Sequence, residues 1–219
     1  HDYDYDAYYV WYLAKSYVDF LEDCKNRKVT PFFGRDHEME MARRGVFYFN
    51  QYLKMKCDYE NLSSALPGNL LKTKAVNQMA YMSYVFMGVL CIRYLNPEDG
   101  LKYLLKSYEY DPIRNEGLVR LAEYYHWKEN QKMTYLYSSI AMKNVNVKNY
   151  RDFLIDTTFY SDTGYYLLDL HSYASYNLGY YEEAIKTCKM MIDNVQWIPQ
   201  PEVERITRNY EYFCKEGKQ

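Results

Sequence analysis

A chain of 219 residues with a formal net charge of −2 is long enough for one globular domain or one compact solenoid, and short for two independent cores. No basic run reaches the length of a nucleic-acid tail, so a polyanion partner has no electrostatic support. The most apolar window, Met79 to Leu95, carries Arg93 among Tyr and Ser and is too short and polar for a bilayer span.

In chain order, Asp2-Tyr3-Asp4-Tyr5-Asp6 comes first. Carboxylates at this spacing can hold a divalent cation, but such a motif works at the end of a strand in an α/β sheet. Here it precedes a helical pattern, and the acids are expected to lie favourably near a helix N-terminus. Val10, Leu13, Ala14 and Tyr17 share one helical face, and Ala42, Val46 and Phe49 mark a second helix. An extended connection is expected at 24–38. Within it His37 stands among Asp36, Glu38 and Glu40, a group that suits an N-cap Asp followed by first-turn acids better than a metal cluster. A second irregular stretch is expected at 57–73.

From Tyr84 onward the sequence repeats itself. Tyr84, Met87, Gly88, Cys91, Gly100, Leu104 and Ser107 return 34 residues later as Leu118, Leu121, Ala122, Tyr125, Thr134, Ser138 and Ala141. Leu104 against Ser138 is the clear mismatch in size. A further 50 residues on, the series becomes Leu168, His171, Ser172, Ser175, Ala184, Cys188 and Met191, with His171 and Met191 as departures and an insertion implied between the two units. Large, large, small and medium residues at this spacing lie on one face of a helix, and the small one lets a second helix approach closely. Twelve residues later the next small position sits on that second helix. A pair of this kind cannot bury its stripe alone, so it stacks on its neighbours. Units are predicted at about 7–57, 77–112, 114–144 and 163–195, followed by an amphipathic capping helix at 200–216 that has Pro201 near its start.

The 34-residue period, the small residues, Asp111-Pro112 closing one unit and LGYYEEAI (Leu178 to Ile185) opening a second helix resemble tetratricopeptide (TPR) repeats. The resemblance implies an all-α fold, a TPR-like α-α superhelix or solenoid of about four helix pairs plus the capping helix. More narrowly, Tyr103 to Tyr125 and Phe153 to Ile192 resemble the TPR-containing C-terminal region that follows some family-2 nucleotide-sugar glycosyltransferase domains in bacteria and giant viruses. That resemblance places a catalytic sugar-transfer domain upstream, in keeping with a chain that begins at His1 rather than Met and is expected to be part of a longer protein. The usual helix-A tryptophan is missing from the regular units.

His1, His37, His126 and His171 have no His or Cys partner three or four residues away, so zinc is not indicated. Phosphate-cradling, dinucleotide and nucleophile-elbow motifs are lacking. Cys24, Cys57, Cys91, Cys188 and Cys214 are odd in number and never spaced C-x-x-C, and are expected as reduced thiols in a cytoplasmic setting. No catalytic residue, metal or cofactor is expected. The 29 tyrosines suit half-exposed packing, with an aromatic binding strip as the alternative.

In a TPR array the groove is lined by the first helix of each pair. That frame points Tyr8, Trp11, Lys15 and Asp19 toward the groove from the first unit and Arg93 from the second. Glu123, His126 and Trp127 follow from the third unit, and Tyr166, Asp169, Tyr173 and Asn177 from the last. The set lacks the Lys/Asn clamp with which chaperone-tail-binding TPRs hold a terminal carboxylate. The expected role is a non-catalytic protein-interaction or scaffolding module that binds a peptide, partner protein or adjacent domain. The alternative is an accessory C-terminal region of a family-2 glycosyltransferase that positions a glycan or glycoprotein acceptor by ring stacking. A plainer role for these residues is to solvate the groove or to meet another part of the same polypeptide.

Overall fold

A computed structural model describes residues 2–26, 34–63, 70–144, 165–195 and 198–217. Among them the fold is all-α, with no strand: α1 (Asp2–Asn26), α2 (Gly34–Ser63), α3 (Leu70–Tyr94), α4 (Pro97–Tyr110), α5 (Glu116–Trp127), α6 (Gln131–Met142), α7 (Tyr165–Asn177), α8 (Tyr181–Ile192) and α9 (Gln200–Glu216). The chain divides into two compact units, His1–Pro112 with α1 to α4 and Ile113–Gln219 with α5 to α9. Within each unit every helix packs on the next one in the chain, and α1 also meets α3 while α5 meets α7.

In the first unit α1 turns Trp11, Ala14, Val18 and Leu21 inward, and α2 does the same with Ala42, Phe49 and Tyr52. From Ala80 to Cys91 every residue of α3 except Tyr84 is buried. A helix apolar all round must be covered on all sides, and α3 is packed by α1, α2 and α4. The most apolar window of the sequence is therefore a core helix. No helix among the described residues is long and apolar enough to cross a membrane. Between α3 and α4 the backbones nearly touch: a Cβ on Gly100 would lie 2.7 Å from the Gly88 carbonyl oxygen, and one on Gly88 would lie 2.5 Å from Leu104 Cδ2. α4 starts with Asn96 accepting from the Glu98 N–H at 3.1 Å, with Pro97, Glu98 and Asp99 in its first turn, a combination that satisfies orphan donors and suits the helix dipole.

In the second unit the positions that recur with Gly88 and Gly100, namely Ala122, Thr134, Ser172 and Ala184, are all fully buried, as are Ser138, Ala141, Cys188 and Met191. Asn130 caps α6 by accepting from the Met133 N–H at 3.2 Å. The α7–α8 turn uses Gly179 at φ +83°, a left-handed helix terminator that glycine adopts freely. The α5–α6 turn puts Glu129 at φ +57° in the same role. α9 covers α8 with Ile206 and Phe213, which join Leu168, Cys188, Met191 and Ile198 in one cluster, and Phe213 stacks on Tyr176 at 4.3 Å.

Three local expectations need correction. Helix α1 runs through residues 24–26 and α2 begins at Gly34, so the 24–38 connection is partly helical; α2 and α3 likewise extend into 57–73. Polar stretches with no apolar stripe looked like loops, yet continue helices whose stripe lies further in. Asp36 sits inside the first turn of α2 and is not its N-cap. Asp2 to Asp6 form the opening turns of α1. The insertion before the last unit, at 145–164, lies outside the described residues.

Candidate functional site

Four residues expected at the groove meet in the second unit. His126 of α5 and Tyr166, Asp169 and Tyr173 of α7 line a pocket of about 360 Å³ together with Leu170, Arg205 and Asn209. The spacing of Tyr166, Asp169 and Tyr173 explains their shared direction, since i, i+3 and i+7 fall on one helical face. Their neighbour Leu170 closes the floor between them. The remaining wall comes from α9.

An ion pair organises the polar side. Arg205 donates from Nη1 to Asp169 Oδ1 at 3.1 Å and from Nη2 to Asp169 Oδ2 at 2.8 Å. Its Nε donates to Glu202 Oε2 at 2.7 Å. The two-pronged contact fixes the planar guanidinium between α7 and α9, and its hydrogen bond to Asp169 leads the causes that raise the Arg205 pKa above its ordinary value. On the aromatic side the His126 ring meets Tyr173 edge-on at 5.2 Å and 84°. His126 Nδ1 is buried with no hydrogen-bond partner among the described residues. Behind the pocket the Tyr166 hydroxyl donates to Glu123 Oε1 at 3.4 Å, and Glu123 is held by Arg120 at 2.8 Å.

The other groove candidates are elsewhere. Glu123 is buried behind the pocket wall, Trp127 is exposed outside it, and Asn177 donates to the Tyr173 carbonyl of its own helix at 2.7 Å. In the first unit Tyr8 is half-buried, Lys15 bonds Asp19 at 2.8 Å along α1, and Arg93 pairs with Glu22. Trp11 does not face a groove. It is 7% exposed, its indole N–H is shared between the Met79 carbonyl at 3.0 Å and Ser83 Oγ at 3.1 Å, and its ring packs against Phe49 and Phe86. The reason is that α1 packs on α3 as well as α2, so the side turned from α2 is not open. Conversely, Arg205 and Asn209 carry no repeat signature because α9 lies beyond the last helix pair, although a helix in that place can take the position of a further first helix.

A second polar cluster lies on α6, α7 and α8. His171 Nδ1 is 3.0 Å from Ser138 Oγ and its Nε2 is 3.0 Å from Glu183 Oε1, while the Tyr135 hydroxyl donates to Glu183 Oε2 at 2.9 Å and the Tyr135 ring stacks on the imidazole. A hydroxyl, an imidazole and a carboxylate in a row resemble a hydrolytic relay. Ser138, however, is 0% exposed, so no reacting carbonyl could reach its oxygen. The arrangement satisfies buried polar atoms. Burial holds the His171 pKa below its ordinary value against the opposing pull of Glu183, and a neutral ring donating to Glu183 and accepting from Ser138 fits both contacts.

Burial likewise pushes the Cys91 and Cys188 thiols up to about 11, away from nucleophilic reactivity. Among the described residues no three His, Cys, Asp or Glu side chains converge as metal ligands. No protein-family model matches the chain, and no curated protein matches it significantly.

Proposed function

We propose that the chain is a TPR-like protein-interaction module in which the face made by α5, α7 and α9 holds a peptide or partner segment. The pocket carries this reading. It joins two tyrosine rings to a fixed Asp169–Arg205 pair, and rigid aromatic anchors beside a few placed polar groups are what a recognition pocket needs. Support also comes from the buried state of Ser138, Cys91 and Cys188, which leaves these three nucleophiles without access to substrate. In this reading the chain is non-catalytic, has no cofactor and works in the cytoplasm, with its cysteines as free thiols.

A photo-crosslinking residue in place of Tyr173 is expected to capture a discrete polypeptide in source cells, while the same group at Leu136, exposed on α6, captures none. Hydrolysis of a sugar nucleotide by the purified chain, abolished by Asp4→Asn, would overturn the non-catalytic assignment. One observation favours the second reading, an accessory glycosyltransferase region that positions a glycan. Tyr166 and Tyr173 stand beside the planar side chains of Asp169, Arg205 and Asn209, a mixture that suits sugar faces and hydroxyls. Capture lost after glycosidase treatment would select it.

A further inference from the structure

We propose that the α5–α7–α9 pocket receives an uncharged carboxamide, the side chain of an asparagine or glutamine on the partner segment, ahead of any charged side chain; this rests on the interaction-module reading above. Charge balance comes first. The carboxylate and guanidinium that line the pocket, Asp169 and Arg205, are joined at 2.8 Å and together carry no net charge. Glu202 and Arg208 flank Arg205 on α9, are opposite in sign and stay out of the lining, and Arg120 cancels Glu123 at 2.8 Å behind Tyr166. A cation that reaches Asp169 therefore meets Arg205, and an anion that reaches Arg205 meets Asp169. Neither recovers the hydration it gives up. A neutral polar group gives up far less.

Hydrogen-bond capacity narrows the neutral choices. Arg205 Nη1 gives one N–H to Asp169 Oδ1 at 3.1 Å and has a second to offer, while that oxygen keeps a further lone-pair direction. An unspent donor and an unspent acceptor thus sit on adjacent atoms. A carboxamide is their complement, with a C=O that accepts from Nη1 and an N–H that donates to Oδ1. A serine or threonine hydroxyl has only one oxygen for both tasks, and an aliphatic side chain has neither group. The walls suit a flat group as well. Tyr166 and Tyr173 bring rings and Leu170 an apolar floor, and His126 braces the Tyr173 ring edge-on at 5.2 Å. Asn209, also in the lining, adds a neutral amide with a donor and an acceptor of its own.

The test titrates labelled Gly/Ser nonapeptides with a central Asn, Gln, Ser, Lys or Glu onto the full chain by fluorescence anisotropy. The Asn and Gln peptides should bind about fivefold tighter than the Ser peptide, the gain expected of two partly solvated hydrogen bonds, and the Lys and Glu peptides no tighter than Ser. Asp169→Asn leaves a lone guanidinium and should make the Glu peptide the tightest of the set. Arg205→Gln leaves a lone carboxylate and should make the Lys peptide the tightest, and loss of fold does not produce two opposite reversals. Should either variant lose its helical circular dichroism, Tyr173→Ala, which leaves the clamp and the α9 cover in place, takes over: it should bring the Asn peptide to the Ser level. A carboxamide preference that survives these substitutions overturns the assignment. Equal binding of all the peptides, or a charged peptide leading on the native chain, overturns it too and leaves peptide binding standing. If no peptide binds, and an oligosaccharide binds in a manner abolished by Tyr173→Ala, the interaction-module reading falls with it. Binding of no probe at all overturns both.

Discussion

Ser138 and His171 are two of the three residues at which the repeat pattern breaks, Met191 being the third; one is polar where Leu104 stands in the preceding unit and the other where Met87 and Leu121 stand. They face each other at 3.0 Å, so each departure accounts for the other. The pattern marked both positions, but their pairing across α6 and α7 needed coordinates. Because burial lowers the folded-state pKa of His171, the unfolded chain takes up this proton first as pH falls. Its contribution to stability is complete above the ordinary histidine value of about 6.5 and is lost as pH drops from there toward the folded value. The urea midpoint should fall less between pH 7.5 and 5.5 for His171→Gln than for the native chain. Trp11 shows the converse limit, since helical periodicity cannot distinguish a face open to a groove from one meeting a third helix. Trp11→Phe removes the indole N–H, while Ser83 Oγ still donates to the Met79 carbonyl at 2.7 Å, and should cost about 0.5–1.5 kcal/mol in chemical denaturation, with Trp11→Ala costing about 3–5 kcal/mol.

At the scale of the element, the spacing of small residues was the most legible feature. Gly88 and Gly100 are the small positions where the pattern lets one helix approach another, and their backbones do meet. Gly88→Ala gains about 1 kcal/mol of helix propensity but drives a methyl into Leu104, and overpacking of about 1–3 kcal/mol should win. A lowered melting temperature would show it. The turn after α5 predicts the opposite sign. Glu129 has φ +57° where the equivalent turn after α7 has Gly179 at φ +83°. Left-handed backbone costs a residue with a Cβ about 1 kcal/mol, so Glu129→Gly should raise the melting temperature, by less than that figure suggests because glycine also loosens the unfolded chain. Helix ends were the least legible. Residues 57–63 and 34–38 lack an apolar stripe and gave no periodic signal, yet they continue a helix whose inner turns are held by Ala42, Phe49 and Tyr52.

At the scale of the molecule, consecutive helices are the ones that pack within each unit, so most of these contacts are local in sequence, the pairing of α6 with α7 across residues 143–164 being the longest of the second unit. Stopped-flow refolding should be dominated by a phase of about milliseconds or faster, apart from a minor proline phase; a major phase slower than about a second would contradict this. The all-α class and the run of helix pairs were legible because they follow from local spacing. The pocket was half legible: its α5 and α7 walls come from repeat positions, whereas Arg205 and Asn209 belong to a helix outside the repeat. That division of labour has a consequence for processing. A protease cut or an early stop codon just before Gln200 would leave every predicted helix pair in the chain but remove Arg205, Glu202 and Asn209 together, along with the Ile206 and Phe213 cover over Leu168 and Met191. The shortened protein would keep its repeats but lose the α9 wall of the pocket and expose a greasy end, so trimming at this one joint would trade a polar surface for a sticky one.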